Sequence, residues 1–153
     1  MAPALVPAGT PDDPAQRWQA TRTKYDRPLS RIRAVTSYLA QHDARFLFGT
    51  DTPSGPTYVN VPGWNGLQEM RRLASAGVKP AQLFRAATLS NAEALGIADS
   101  VGSVSVGKRA NLLLLHADPR ESVEALGSIA KVILAGKVLD PAELAADRAA
   151  LRE

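Results

Sequence analysis

Three side chains in this 153-residue chain have the type and placement to do hydrolytic or metal chemistry: the carboxylate of Asp51 and the imidazoles of His42 and His116. Asp51 lies in the stretch RFLFGTDTP, residues 45–53, where a short apolar run ends in Gly49-Thr50 and delivers the acid into a Pro/Gly-rich loop. A carboxylate so mounted can act as a general base or as a hard metal ligand. The run Phe46, Leu47, Phe48 is too short for a helix and is bounded by a turn signal, the pattern of a strand buried on both faces. An acid just past the carboxyl end of such a strand sits where α/β folds collect their reactive groups. An Asp before Thr-Pro is also an ordinary turn former whose side chain bonds its own backbone. On this stretch alone both readings stand.

The histidines are poor companions for that carboxylate. His42 closes a helix before the run, and five strand residues at ~3.3 Å each put it well over ~15 Å from Asp51, which excludes a shared metal. A histidine in the last turn of a helix compensates the carbonyl dipole there. His116 ends a later apolar run, and a strand-end histidine of this kind is a surface residue. After Asp51 the loop to Gly66 is stiffened by prolines and glycines and carries Tyr58 and Trp64 as its large side chains. A long loop after a buried strand is where binding groups are mounted. Tyr58 and Trp64 are therefore candidates to line a substrate pocket, with burial of an apolar loop face against the body as the equal alternative.

Composition narrows the classes. Cysteine is absent, so disulfides and thiolate ligation are unavailable and a reducing, cytoplasmic setting is expected. The opening MAPALVPAGTPDDP lacks the basic start and apolar core of a signal peptide. No apolar run approaches the ~20 residues of a membrane helix, so no membrane partner is expected. The net charge of +3 comes from 18 basic and 15 acidic residues scattered among one another, and aromatic residues make up only 5%. That is a solvated surface without a base-stacking platform, and nucleic acid is not an expected partner.

The elements that must position Asp51 follow from periodicity. Residues 1–14 read as an exposed loop. From Ala15 to about Gln41 the apolar positions Trp18, Tyr25, Leu29, Ile32, Val35 and Leu39 fall at helical spacings, giving one amphipathic helix that Pro28 kinks or divides. Its stripe is expected to pack against a sheet. Three short helices follow the loop. Asn65 with Gln68 resembles a capping box and Gly77 is the stop; Pro80 opens the next helix, and Ser90 with Glu93 forms an S-x-x-E box for a third that Gly96 closes. From Gly102 the period becomes extended. Val104 and Val106 alternate with serines, Gly107-Lys108 turns, Leu112–Leu115 reads as a second doubly buried strand, and residues 132–134 and 138–139 pair through a tight turn at Gly136-Lys137. From Pro141 a surface helix is expected.

This order of elements resembles the carboxyl-terminal portion of a metal-dependent amidohydrolase, on the imidazolonepropionase-like and prolidase-like branch. The resemblance rests on GTDTP at 49–53, PGWNGLQEMRRLASAGVKPAQLFRAATLSNAEALGI at 62–97, GSVSVGKRANLLLLHADP at 102–119 and AKVILAGKVL at 130–139. It implies an α/β fold: the last part of a distorted (β/α)8 barrel of the TIM type, followed by a small β-sandwich segment. Residues 15–97 would be the closing helix–strand–helix units of the barrel, residues 98–140 the sandwich share, and residues 141–153 a surface tail. At 153 residues the chain is shorter than the about 250 of a complete barrel.

The resemblance further implies a divalent metal, zinc being the expected ion, with Asp51 as its ligand and as the catalytic general base in hydrolysis of a non-peptide or dipeptide C–N bond of a small-molecule substrate. The family's other ligands, an H-x-H pair, a lysine or its equivalent and two further histidines, have no counterparts here. Asn111 and His116 stand where relatives carry acids, and Leu67 stands where they often carry histidine. Two readings are thus open. In one the chain is the distal part of a hydrolase and needs a barrel segment from elsewhere. In the other it is a non-catalytic remnant whose uncovered apolar face drives partner binding or homo-oligomer formation.

Overall fold

The computed structural model describes residues 13–52 and 63–144. The tail beyond Leu144 and the loop bearing Tyr58 lie outside the described residues. Helix α1 runs Pro14–Gln41 as one unbroken element of 28 residues. Asp13 starts it, its carboxylate accepting the Ala15 N–H at 3.0 Å, and Pro14 takes the first-turn position where a missing N–H costs nothing. Pro28 does not split the helix. Its surroundings are exposed, so water can satisfy the carbonyl left without an amide partner, and the Ser30 hydroxyl donates to the Arg27 carbonyl at 2.8 Å. The expected packing of the α1 stripe on a sheet is not present: Trp18, Leu29, Ile32 and Val35 are each more than half exposed. Only the last turns touch the body, through buried Ala40 and through Arg33, whose guanidinium donates to the Ser75 carbonyl at 2.8 Å.

Helix α2 spans Trp64–Ser75 and stops at Gly77, which adopts φ +98°. The next helical run starts with Pro80 at its first position: α3 (Pro80–Arg85), a π turn (Ala86–Ser90) and α4 (Asn91–Ala94) follow without a break, and Gly96 at φ +70° ends them. The two capping boxes expected at Asn65 and Ser90 are therefore absent. Gly63 precedes α2 and the Asn65 amide is used elsewhere, while Ser90 is helical, buried and inside the run. The core is small. Leu83 is fully buried among Ala40, Met70, Val78 and Val123, with Phe46, Phe48 and Leu73 packed around them.

The second half forms a three-stranded antiparallel sheet in the order β1 (Leu112–Leu115), β2 (Ile129–Leu134), β3 (Lys137–Leu139). Leu113 faces Val132, and Ile133 faces Val138. The β2–β3 turn is Ala135-Gly136, one residue earlier than the sequence suggests, and both residues have positive φ, as a two-residue turn matched to strand twist requires. Asn111 anchors that turn by accepting the Ala135 N–H at 2.8 Å. β1 is not doubly buried: Leu113 and Leu114, which point to opposite faces of the sheet, are both about half exposed. Val104 and Val106 form no strand. They lie in a turn closed by Lys108, whose ammonium donates to the Ser103 hydroxyl at 2.7 Å. Gly102, at φ +92°, lets this segment cross the π turn and α4 at a distance no side chain would permit.

Candidate functional site

Residues 46–51 leave α1 in an extended path with a period of two. Phe46, Phe48 and Thr50 are half-buried, and Leu47, Gly49 and Asp51 are exposed. The first two pack their rings on the core, which fixes the direction in which the alternate residues point. The expectation of a strand buried on both faces is corrected in two respects. Among the described residues the segment pairs with no other strand, and its Leu47 face is open. Apolar residues on both faces signal a doubly covered strand in a sequence. Here only the face toward the helices is covered.

Two asparagines hold the segment instead. Phe48 donates its N–H to Asn91 Oδ1 at 3.1 Å, and Asn91 Nδ2 donates to the Phe48 carbonyl at 2.7 Å. Asn65 Nδ2 donates to Thr52 Oγ1 at 2.7 Å and to the Thr50 carbonyl at 3.4 Å. At the start of the segment Arg45 donates to the Ser90 carbonyl at 3.2 Å and pairs with Glu93 at 3.0 Å. Sequence reasoning missed both asparagines, reading one as a cap and passing over the other. The signal was available: asparagine competes with the backbone and is unfavourable inside a helix, so an asparagine in a helical run needs a tertiary reason.

Asp51 is exposed and adopts φ +49°. A left-handed backbone is uncommon outside glycine, and Asp and Asn are the residues that tolerate it. Its carboxylate thus projects from a turn at the tip of an extended segment braced on one side and open on the other. Trp64, the first residue of α2, is exposed beside the Arg71 guanidinium, 5.9 Å from the ring centre. Arg71 is itself committed to Glu124, with Nε 2.6 Å from Oε1, and that bond holds the Glu124 carboxyl below its ordinary range.

The two histidines are where their spacing puts them. His42 is the C-cap of α1, with Nδ1 2.8 Å from the Tyr38 carbonyl and its ring stacked on Tyr38 at 4.1 Å. His116 is exposed just past β1. Among the described residues no three His, Asp or Glu side chains converge on one point. A catalytic zinc takes three protein ligands, so the donor set present here does not fit one. A cleft of about 720 Å³ lies elsewhere, between the Phe84–Leu95 face and β1, with Arg109 as its charged lining residue.

The sequence model of the amidohydrolase family matches residues 25–139. The chain belongs to the amidohydrolase family. Members of that family are built on a TIM-type barrel, and this chain contributes a small mixed unit of helices and sheet. Solved structures agree. A Xaa-Pro dipeptidase with bound methionine in its active site is 26% identical, with a TM-score of 0.60 over 71% of this chain and 25% of its own. A putative prolidase from Bifidobacterium longum is 35% identical, with a TM-score of 0.57 over 68% of this chain and 25% of its own. Phenylurea hydrolase B is 30% identical, with a TM-score of 0.57 over 70% of this chain and 26% of its own. This amidohydrolase chain therefore spans about a quarter of the length of the solved structures it matches. No curated protein matches it. No described helix is long and apolar enough to cross a membrane.

Proposed function

We propose that this chain supplies the last carboxylate-bearing strand and the accessory sheet of an amidohydrolase that cleaves C–N bonds of small molecules, with Asp51 as its catalytic base. The observation that carries the reading is the period of two at residues 46–51. The phenylalanines face the helices while Leu47, Gly49 and Asp51 share the opposite, uncovered face. In a (β/α)8 barrel each strand shows one side to the helices and the other to the interior, and reactive groups cluster at the strands' carboxyl ends. Asp51 meets both conditions. The domain boundaries follow: residues 15–97 form barrel units and residues 98–140 form the sandwich share.

In hydrolysis Asp51 takes a proton from the attacking water as the new C–O bond forms, then delivers it to the nitrogen as the C–N bond breaks. The products are an amine and a carboxylic acid, or a carbamic acid when the substrate is a urea, and the Asp51 carboxylate ends as it began. A base of this kind contributes about 10²–10⁴-fold to the rate. Amidohydrolases generally use divalent metal ions, but among the described residues no set of three donors converges to make such a site. Dipeptides ending in proline and N-aryl ureas are the substrates to try first, since relatives named for both bond classes share the fold. Trp64 remains a candidate for the substrate wall, as does Tyr58.

The test is hydrolysis of such a panel by the purified protein and by Asp51→Asn. The substitution should abolish turnover and leave the melting curve unchanged, because Asn tolerates the same backbone. Full activity in Asp51→Asn overturns the assignment. The missing donor set and the open stripe of α1 favour a second reading, a folded module that does no chemistry. Absence of all turnover in the unaltered protein, with the remaining barrel segment supplied, selects it.

A further inference from the structure

The extended segment that carries Asp51 has two edges, and they are treated differently. In a strand the N–H and C=O of one residue point to the same side, and those of the next residue point to the other. Phe48 and Thr50 therefore present their groups on one edge, and Leu47 and Gly49 on the opposite one. On the first edge two asparagines make the bonds, joined by the Thr52 hydroxyl, which donates to the Thr50 carbonyl at 3.3 Å. Asn91 takes both the N–H and the C=O of Phe48, and Asn65 takes the C=O of Thr50 together with the Thr52 hydroxyl. On the second edge Leu47 and Gly49 make no hydrogen bond among the described residues.

A primary amide carries one acceptor and two donors in a planar group. It can close with a single backbone residue the same two-bond ring that a neighbouring antiparallel strand closes. Asn91 does this from the first residue after the π turn. A turn of this kind inserts an extra residue into the helical repeat, shifts which residues face inward, and recurs at functional sites. Asn65 acts from the first turn of α2 and reaches the residues on either side of Asp51.

We propose that Asn91 and Asn65 are positioning residues for Asp51: their side-chain amides replace a strand neighbour along one edge and hold the aspartate in its left-handed turn. The proposal rests on the reading of Asp51 as the reactive carboxylate. It extends that reading by naming what fixes the carboxylate in space. Aspartate tolerates the left-handed backbone without preferring it, so neighbours must hold it there for the carboxylate to keep one position. Thr50 and Thr52, immediately before and after Asp51, are the two residues that Asn65 grips. Removing either amide should release the aspartate without dissolving the core, since the buried cluster of Ala40, Met70, Val78, Leu83 and Val123 makes none of these bonds.

The experiment is backbone NMR on the uniformly labelled chain and on Asn91→Ala, Asn65→Ala and Asn91→Asp. Order parameters at residues 48–52 should fall from about 0.85, the value of rigid backbone, to below about 0.6 in the alanine variants, while helices α2 and α3 keep theirs. Asn91→Asp keeps the acceptor for Phe48 N–H and loses the donor to its carbonyl, so it should fall between the two. It also serves should Asn91→Ala not fold. Order parameters at Asp51 that stay at the starting value in Asn65→Ala and Asn91→Asp overturn the proposal. Failure of the Asp51 reading is separate: turnover then survives Asp51→Asn, while the NMR contrast among the asparagine variants is unaffected.

Discussion

A methyl group added at Gly102 tests how the sheet is joined to the helices. A Cβ there would lie 2.6 Å from Ala92 Cβ, 3.1 Å from Leu89 Cα and 3.2 Å from the Thr88 carbonyl oxygen, on a backbone at φ +92°. Two of those atoms are backbone and the third is a buried alanine methyl, so no flexible side chain can yield. The left-handed backbone costs a non-glycine residue about 1–2 kcal/mol, and overpacking a filled contact adds about 1–3 kcal/mol. Stiffening the unfolded chain returns about 0.4–1 kcal/mol. The net loss for Gly102→Ala is then about 2–4 kcal/mol. Gly107 is the control, because it has nearly the same φ, +89°, and nothing within 4 Å of its added Cβ. Gly107→Ala should cost no more than about 1.6 kcal/mol, the backbone share less the unfolded-state gain. Urea unfolding separates the two. With a slope of about 1–3 kcal/mol per molar, Gly102→Ala lowers the midpoint by about 1–2 M and Gly107→Ala by a fraction of that. Equal midpoints for the two variants would refute the close approach, and with it the packing of residues 101–103 on the π turn and α4.

Leu83→Ala should lose about 2–5 kcal/mol in the same urea assay, since Leu83 is the fully sealed centre of a small core; a loss under about 1 kcal/mol contradicts that placement. The Arg120 side-chain hydrogen bond, aided by the Arg120 N–H, holds the Asp118 carboxyl down to about 2. Because the folded value lies below the unfolded one of about 3.9, the pair's contribution is whole above about pH 4 and is lost as pH falls toward 2. Carboxyl ¹³C titration should show Asp118 returning to its ordinary range in Arg120→Ala, and an unmoved titration refutes the pairing. Zinc equilibrated with the purified chain should wash out on desalting to well below one equivalent, because no three His, Asp or Glu side chains converge among the described residues. Stoichiometric retention with C–N hydrolysis would overturn that donor count.

Legibility in the sequence followed the range of the interaction. Local signals were read correctly: α1 starts within one residue of Ala15, Pro80 opens α3, Gly77 and Gly96 stop their helices, and the β2–β3 hairpin lies within one residue of its expected turn. Where a side chain serves a distant partner, the same local rules misled. Asn65 and Ser90 have the spacing of caps, yet Asn65 bonds residues 13 and 15 positions back, and Ser90 is buried within a helical run. The π turn changes the helical repeat for five residues, which a fixed period cannot register. At residues 46–51 the strand tendency and the acid at its tip were legible. Which face was covered was not, because Leu47 is as apolar as the phenylalanines that reach the core. Val104 and Val106 alternate like a strand, but Lys108 folds back on Ser103 and no edge is offered for them to join.

The backbone at Asp51 accepts three residue types with little strain: aspartate, asparagine and glycine. In the genetic code both alternatives are one nucleotide away from either aspartate codon. Folding therefore does nothing to guard the negative charge, and a single transition could erase it while the polypeptide kept its shape and its solubility. Only selection on turnover would keep an acid in that niche, so the role proposed for Asp51 predicts that natural variants with another residue at position 51 lack turnover.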